Sequence, residues 1–86
     1  MRAVITVLGC DRVGIIAGVT AVLAESGTNI LDISQTLMGE IFTMIMMVDA
    51  TVDCRELQEK LSAKGKELGV EIRLQREDIF QSMHRI

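Results

Sequence analysis

Ala3-Val4-Ile5-Thr6-Val7-Leu8-Gly9-Cys10-Asp11-Arg12-Val13-Gly14-Ile15-Ile16 carries the chain from one backbone period into another. Ala3 to Leu8 is short, β-branched and mostly apolar, the pattern of an interior strand. From Arg12 to about Glu25 the apolar residues Val13, Ile16, Val19 and Leu23 recur at helical spacing. Ala17, Gly18, Ala21 and Ala24 are small enough for close packing. Asp11 stands where a side-chain oxygen caps the free N–H groups of a first turn. Gly14 is out of place for helix stability, since Gly costs about 1 kcal/mol relative to Ala. It leaves no side chain where those N–H groups point outward, so a ligand or another chain can approach the backbone.

Beyond that stretch the period changes several times. Ser26-Gly27 ends the helix, with Gly27 suited to a left-handed position. Thr28 to Met38 reads as a second strand and Phe42 to Ala50 as a third. Met38-Gly39-Glu40-Ile41 joins them as a hairpin. Asp53 and Glu56 have capping-box spacing and open a second helix, with Leu57, Leu61 and Leu68 as its buried stripe. Glu56 and Lys60 form an i,i+4 pair on its wet side, and Gly69 closes it. Val70 to Gln75 alternates as a fourth strand, with Val70, Ile72 and Leu74 on one face. Asp78 to Ile86 returns to a helical period that aligns Ile79, Met83 and Ile86.

The order β-α-β-β-α-β predicts an α+β, ferredoxin-like sandwich: a four-stranded antiparallel sheet with two helices on one face. The chain reads as a single domain over residues 1–86, a core of 1–77 and a short terminal helix over 78–86. The third strand is apolar on both sides, with Phe42, Met44, Met46 and Val48 on one and Ile45 and Met47 on the other. Such a strand predicts cover on both sides. The second cover comes from the terminal helix, another subunit, or both, and a homodimer is expected.

Composition narrows the function. The chain has 86 residues, 49 % of them apolar but 2 % aromatic, with six Met and no Trp, Tyr or Pro. The core is therefore aliphatic, and few side chains are available to stack on bases. A net charge of −3 lacks the basic footprint of a nucleic-acid binder. There is no leader pattern and no apolar run long enough to cross a bilayer, which predicts a cytoplasmic protein. Cys10 and Cys54 are far apart, with no CxxC partner, and read as reduced thiols. Cys10 precedes a helix start, where a thiolate is favoured.

No nucleophile–base–orienter set and no His/Cys/carboxylate cluster at metal spacing can be assembled, so neither an enzyme nor a metal or cofactor site is expected. Gly9 and Gly14 do not make a phosphate-binding loop, because Ile15 follows Gly14. His84, the single histidine, reads as a packed or exposed residue of the terminal helix. Met44, Met46 and Met47 follow the strand period and read as core and interface.

The segment Val7 to Ile16, followed by Ser26-Gly27-Thr28-Asn29-Ile30, resembles the ACT domain, whose pattern is a strand, then D-[RK]-x-G-[IL], a helix, and a strand opening with Asn. Asp11, Arg12, Gly14, Ile15 and Asn29 fill that pattern here. Asp32-Ile33-Ser34-Gln35-Thr36, Phe42-Thr43-Met44 and the tail from Asp78 to Ile86 are similar to the small stand-alone ACT proteins of bacteria and archaea. A more distant likeness is to ACT regulators related to the repressor of the glycine cleavage operon. The resemblance implies a regulatory protein that binds a small ligand, often an amino acid, between two ACT units. It places the contacts at Asp11, Arg12, Val13, Gly14, Ile15, Asn29 and Ile30. The alternative is a dimerisation or protein-interaction module that works without a ligand. No enzyme or DNA-binding domain accompanies the pattern, so the regulated target would be another protein.

Overall fold

The computed structural model describes residues 1–10 and 12–76, Arg12 by its backbone alone. Asp11 and the terminal helix expected over 78–86, with His84, lie outside the described residues.

β1 (Arg2–Gly9) is the strand on which the sheet is built. It pairs antiparallel with β3 (Ile41–Asp49) on one side and with β4 (Glu71–Arg76) on the other. β2 (Asn29–Met38) pairs antiparallel with the far side of β3, giving the order β2-β3-β1-β4. Between β1 and β2 runs α1 (Arg12–Glu25), and between β3 and β4 runs α2 (Cys54–Leu68). The element order is that of the ferredoxin-like sandwich, as the periodicity predicts. Boundaries move by a residue: Thr28 lies before β2, Ala50 after β3 and Val70 before β4.

One sheet face forms the core. Ala3, Ile5 and Val7 of β1 alternate inward with Phe42, Met44, Met46 and Val48 of β3, and all are buried. Ile15, Val19, Val22 and Leu23 of α1 and Leu57 and Leu61 of α2 close over them. The hairpin turns at Gly39, whose φ of +61° is open to Gly without strain and matches the strand twist. Gly69, at φ 72°, ends α2 with Val70 N–H donating to the Gly65 carbonyl.

Two details of the helices differ from expectation. The buried phase of α1 starts at Ile15, while Val13 is 77 % exposed. Ala17, Ala21 and Ala24 are exposed as well, so α1 is apolar on its outer side too. A helix apolar all round has no strong stripe to fix its rotation; Val19 and Leu23 are buried and Ile16 packs on the core as the spacing predicts, but Ile15 and Val22 join them in place of Val13. In α2, Asp53 occupies the N-cap position with extended backbone, but its side chain makes no capping bond. The capping box is thus absent, whereas the Glu56–Lys60 pair forms at 3.7 Å.

The second sheet face carries neither α1 nor α2. In register from β2 to β4 it shows Asp32, Met47, Val4 and Gln75 in one row, then Ser34, Ile45, Thr6 and Arg73 in the next.

Candidate functional site

β1 ends at Gly9, opposite Phe42, and Phe42 lies opposite Leu37 near the end of β2. α1 begins three residues after Gly9. Gly14 lies in its first turn, helical and half-buried, and it is itself engaged in an interaction. A free helix start gathers N–H donors and the positive end of the backbone dipole, which suits a carboxylate. Ile15 does not face that surface. It is buried, and its Cδ1 comes within 2.5 Å of the point a Cβ on Gly9 would occupy. Its side chain therefore anchors the helix to the strand, leaving the exposed Val13 at the helix start. Asp11 and the Arg12 side chain fall outside the described residues. Cys10 is an exposed free thiol.

Asn29 and Ile30 are exposed at the other end of the sheet. Asn29 pairs with Asp49, which also faces Arg2 across β3 and β1. The chain's amino group donates to Asp49 Oδ1 at 3.1 Å and to the Ala50 carbonyl at 2.9 Å. The 14 residues of α1 carry the backbone about 21 Å from one end to the other. Within one chain, then, Val13, Gly14 and Ile15 are together, Asn29 and Ile30 are together, and the two groups are apart.

A hollow of about 170 Å³ lies at the Gly9 end, lined by Gln35, Thr36, Leu37 and Phe42. Ligand sites run to roughly 300–1,000 Å³, so this hollow alone is smaller than a ligand site. The sequence reading did not single out Gln35, Thr36 or Leu37 as lining residues. The hairpin register sets them there, by pairing Leu37 with Phe42, and strand period alone does not give that register. A second hollow of about 130 Å³ lies against Val4, Asp32, Ile33, Ser34, Ile45 and Met47.

The two edges of the sheet differ. On β4, Gln58 of α2 reaches over the edge: its Oε1 accepts from Leu74 N–H at 2.9 Å and its Nε2 donates to the Ile72 carbonyl at 3.4 Å. On β2 all ten residues are exposed, among them Ile30, Leu31, Ile33, Leu37 and Met38. A bulge at Leu31 interrupts its register, and Asp32 Oδ1 accepts from Ile33 N–H at 2.8 Å. From Ile33 to Met38 the strand is regular. An exposed regular edge is a template for another strand.

Other chemistry is sparse. Among the described residues no group of three His, Cys, Asp or Glu side chains could hold a metal. No helix among the described residues is long and apolar enough to cross a membrane. The Cys54 thiol, at the start of α2, has its pKa raised, first by burial and then by Asp53, against opposing effects of Arg76 and the amino terminus.

The family model for the ACT domain matches residues 2–75. The chain is 54 % identical over 88 residues to the UPF0237 protein of Methanocaldococcus jannaschii, covering 99 % of this chain and 98 % of that one. Among solved structures, an ACT domain protein from Streptococcus pneumoniae superposes with a TM-score of 0.83 at 44 % identity, covering 94 % of both chains. The regulatory subunit of aspartate kinase from Thermus thermophilus superposes with a TM-score of 0.69 at 32 % identity. That match covers 86 % of this chain and 50 % of the other.

Proposed function

Because the chain belongs to the ACT domain family, we propose that it is a small regulatory protein that binds an amino acid between two copies of itself. The observation that carries this reading is the separation of Gly14 from Asn29 along the length of the sheet. A ligand held by one chain meets one group or the other. If two β2 edges pair antiparallel about their middle, the partner's Asn29 comes to the end where α1 begins and where the 170 Å³ hollow lies. The amino-acid carboxylate then sits on the α1 N–H groups beside Gly14, with Val13 and Ile15 contributing backbone, and Asp11 and Arg12 are the contacts that the family pattern adds. The partner's Asn29 and Ile30 close the other side, the Asn amide bonding the carboxylate or the ammonium. Ligand binding favours one packing of the two copies over others, and that difference is what a regulated partner protein reads. The exposed apolar residues of β2 and the outer side of α1 support the pairing, as does the Gln58 cover on the β4 edge.

The test is a thermal-shift screen of the common amino acids with wild type, Gly14→Asp, Asn29→Ala and an equimolar, co-refolded mixture of the two variants. A ligand at about 100 times its Kd stabilises by about 2.7 kcal/mol, which moves the midpoint by on the order of ten degrees in a domain of this size. Wild type should respond and each variant alone should not. The mixture should regain part of the response, because a mixed dimer rebuilds one intact site from Gly14 of one chain and Asn29 of the other. No response from wild type to any amino acid ends the sensor reading. A wild-type response that the mixture fails to regain ends the shared-site reading.

A further inference from the structure

Leu57 and Leu61 turn α2 towards the core, where both are buried. Gln58, Ser62 and Gly65 fall at i, i+4 and i+7 and share the flank of α2 that lies along β4. Gly65 lets the helix come close: a Cβ there would meet the Val70 carbonyl oxygen at 2.9 Å. The Gln58 amide then reaches the strand. Its Oε1 accepts from Leu74 N–H at 2.9 Å, and its Nε2 donates to the Ile72 carbonyl at 3.4 Å and to Ser62 Oγ at 2.9 Å. The amide oxygen and both amide N–H groups are thus engaged, and the partners fix which way round the group sits.

Ile72 and Leu74 flank Arg73, and their outward C=O and N–H are groups that a strand laid along β4 would take. A side-chain amide on them replaces a peptide group of that strand without offering an edge that continues. β2 is the contrary case. Its regular stretch, Ile33-Ser34-Gln35-Thr36-Leu37-Met38, is exposed and carries no charge. β4 has six residues, the same number. β2 also runs antiparallel to β4, because each of the three pairings across the sheet is antiparallel. The β2 edge of one copy therefore matches the β4 edge of another in length and in direction. Such a contact does not close. Each copy that docks by β2 brings a fresh β4 edge, and growth continues in a line.

We propose that Gln58 guards the β4 edge against the β2 edge of another copy of this chain. By holding Leu74 N–H and the Ile72 carbonyl it leaves β2 as the strand on which copies meet. A contact of β2 on β2 is two-fold and stops at a pair. A copy docked on β4 has no β2 left for that two-fold contact, so the guard also protects the pair. The inference rests on the β2 association proposed above but concerns a different surface, and it needs no ligand.

Size-exclusion chromatography with light scattering on the full chain, from micromolar to near-millimolar concentration, tests it. The samples are wild type, Gln58→Ala, and Gln58→Ala combined with Leu37→Lys. Ala is the strongest helix former, so α2 keeps its helix in the variants. Wild type should hold twice the chain mass throughout. Gln58→Ala should pass that mass and keep rising with concentration, and the added Lys on β2 should return it to the single-chain mass. Wild type at twice the chain mass with Gln58→Ala unchanged overturns the guard alone. A single-chain wild type overturns the β2 reading and this inference with it. Growth that survives Leu37→Lys names an occupant other than β2 and overturns the proposal as well. A second readout needs no association. Amide hydrogen exchange at Leu74 should be roughly tenfold faster in the double variant than in Leu37→Lys alone, the equivalent of one backbone hydrogen bond. Equal rates mean that Gln58 does not hold the edge, and end the proposal.

Discussion

Ile15 closes over Gly9: its Cδ1 lies 2.5 Å from the point a Cβ on Gly9 would occupy, and Val70 approaches the same point. This contact locks the start of α1 to the end of β1, and so sets where the helix N–H groups point. Gly9 has ordinary strand backbone, so the cost of adding a side chain is one of space alone. Gly9→Ala should therefore destabilise by about 1–2 kcal/mol, the range for overpacking against side chains that can partly yield. Urea unfolding monitored by circular dichroism measures it. An unchanged or raised midpoint would show that Ile15 and Val70 move aside freely, and that the helix start is not held as described.

The β2 edge yields a second prediction. Leu37 is 58 % exposed, so charging it should change the stability of one chain by little, within about 0.5 kcal/mol. A Lys there repels a second strand laid along the edge. Wild type should run at twice its 9.5 kDa chain mass in size-exclusion chromatography with light scattering, and Leu37→Lys at the single-chain mass with its spectrum unchanged. If both species have the same mass, association does not use this edge.

The contrast between the helices shows what was legible in the sequence. In α2, Leu57 and Leu61 stand among charged residues, so the inward side is evident, and both are buried. In α1 nearly every residue is apolar or small, and the reading chose Val13 where packing chose Ile15. The order of elements along the chain followed from periodicity because β1 and β3 alternate or run apolar in lengths that only strands take. The site was harder. Gly14 lies in the first turn of one helix and Asn29 just past its end, but a helix between parallel strands returns the chain to the opposite end of the sheet. Spacing along the chain carries no warning of that, and it is why the proposed site draws Gly14 and Asn29 from two copies.

Cys54 provides a pH prediction. Burial, the largest cause, raises its thiol pKa in the folded state. Below the unfolded thiol's value of about 8.5 both states keep the proton and nothing is lost. Above it the unfolded chain releases the proton first, so stability falls as pH rises until the folded thiol ionises as well. Denaturation midpoints of wild type and Cys54→Ser, measured from pH 7 to pH 10, should run parallel up to about pH 8 and then diverge, with wild type falling faster. Parallel curves throughout would mean that the thiol is as well solvated folded as unfolded.

Thr28 lies at the turn between α1 and β2. Its N–H donates to the Leu23 carbonyl at 2.9 Å, but its buried hydroxyl has no hydrogen-bond partner among the described residues. A buried hydroxyl without a partner costs about 1–3 kcal/mol, whereas a methyl of the same shape carries no such penalty. The neighbouring Thr51 differs, since its hydroxyl donates to the Ser26 carbonyl at 3.4 Å. Thr28→Val should therefore stabilise by about 1 kcal/mol, raising the thermal midpoint by roughly 4–8 °C in a domain of this size. Thr51→Val should gain nothing comparable, because it removes a bond that is made. Val also suits the extended backbone that follows at Asn29, so local propensity works in the same direction. A lower midpoint for Thr28→Val would mean that the hydroxyl is satisfied in solution, by water or by another chain, and that the turn is better solvated than its burial implies.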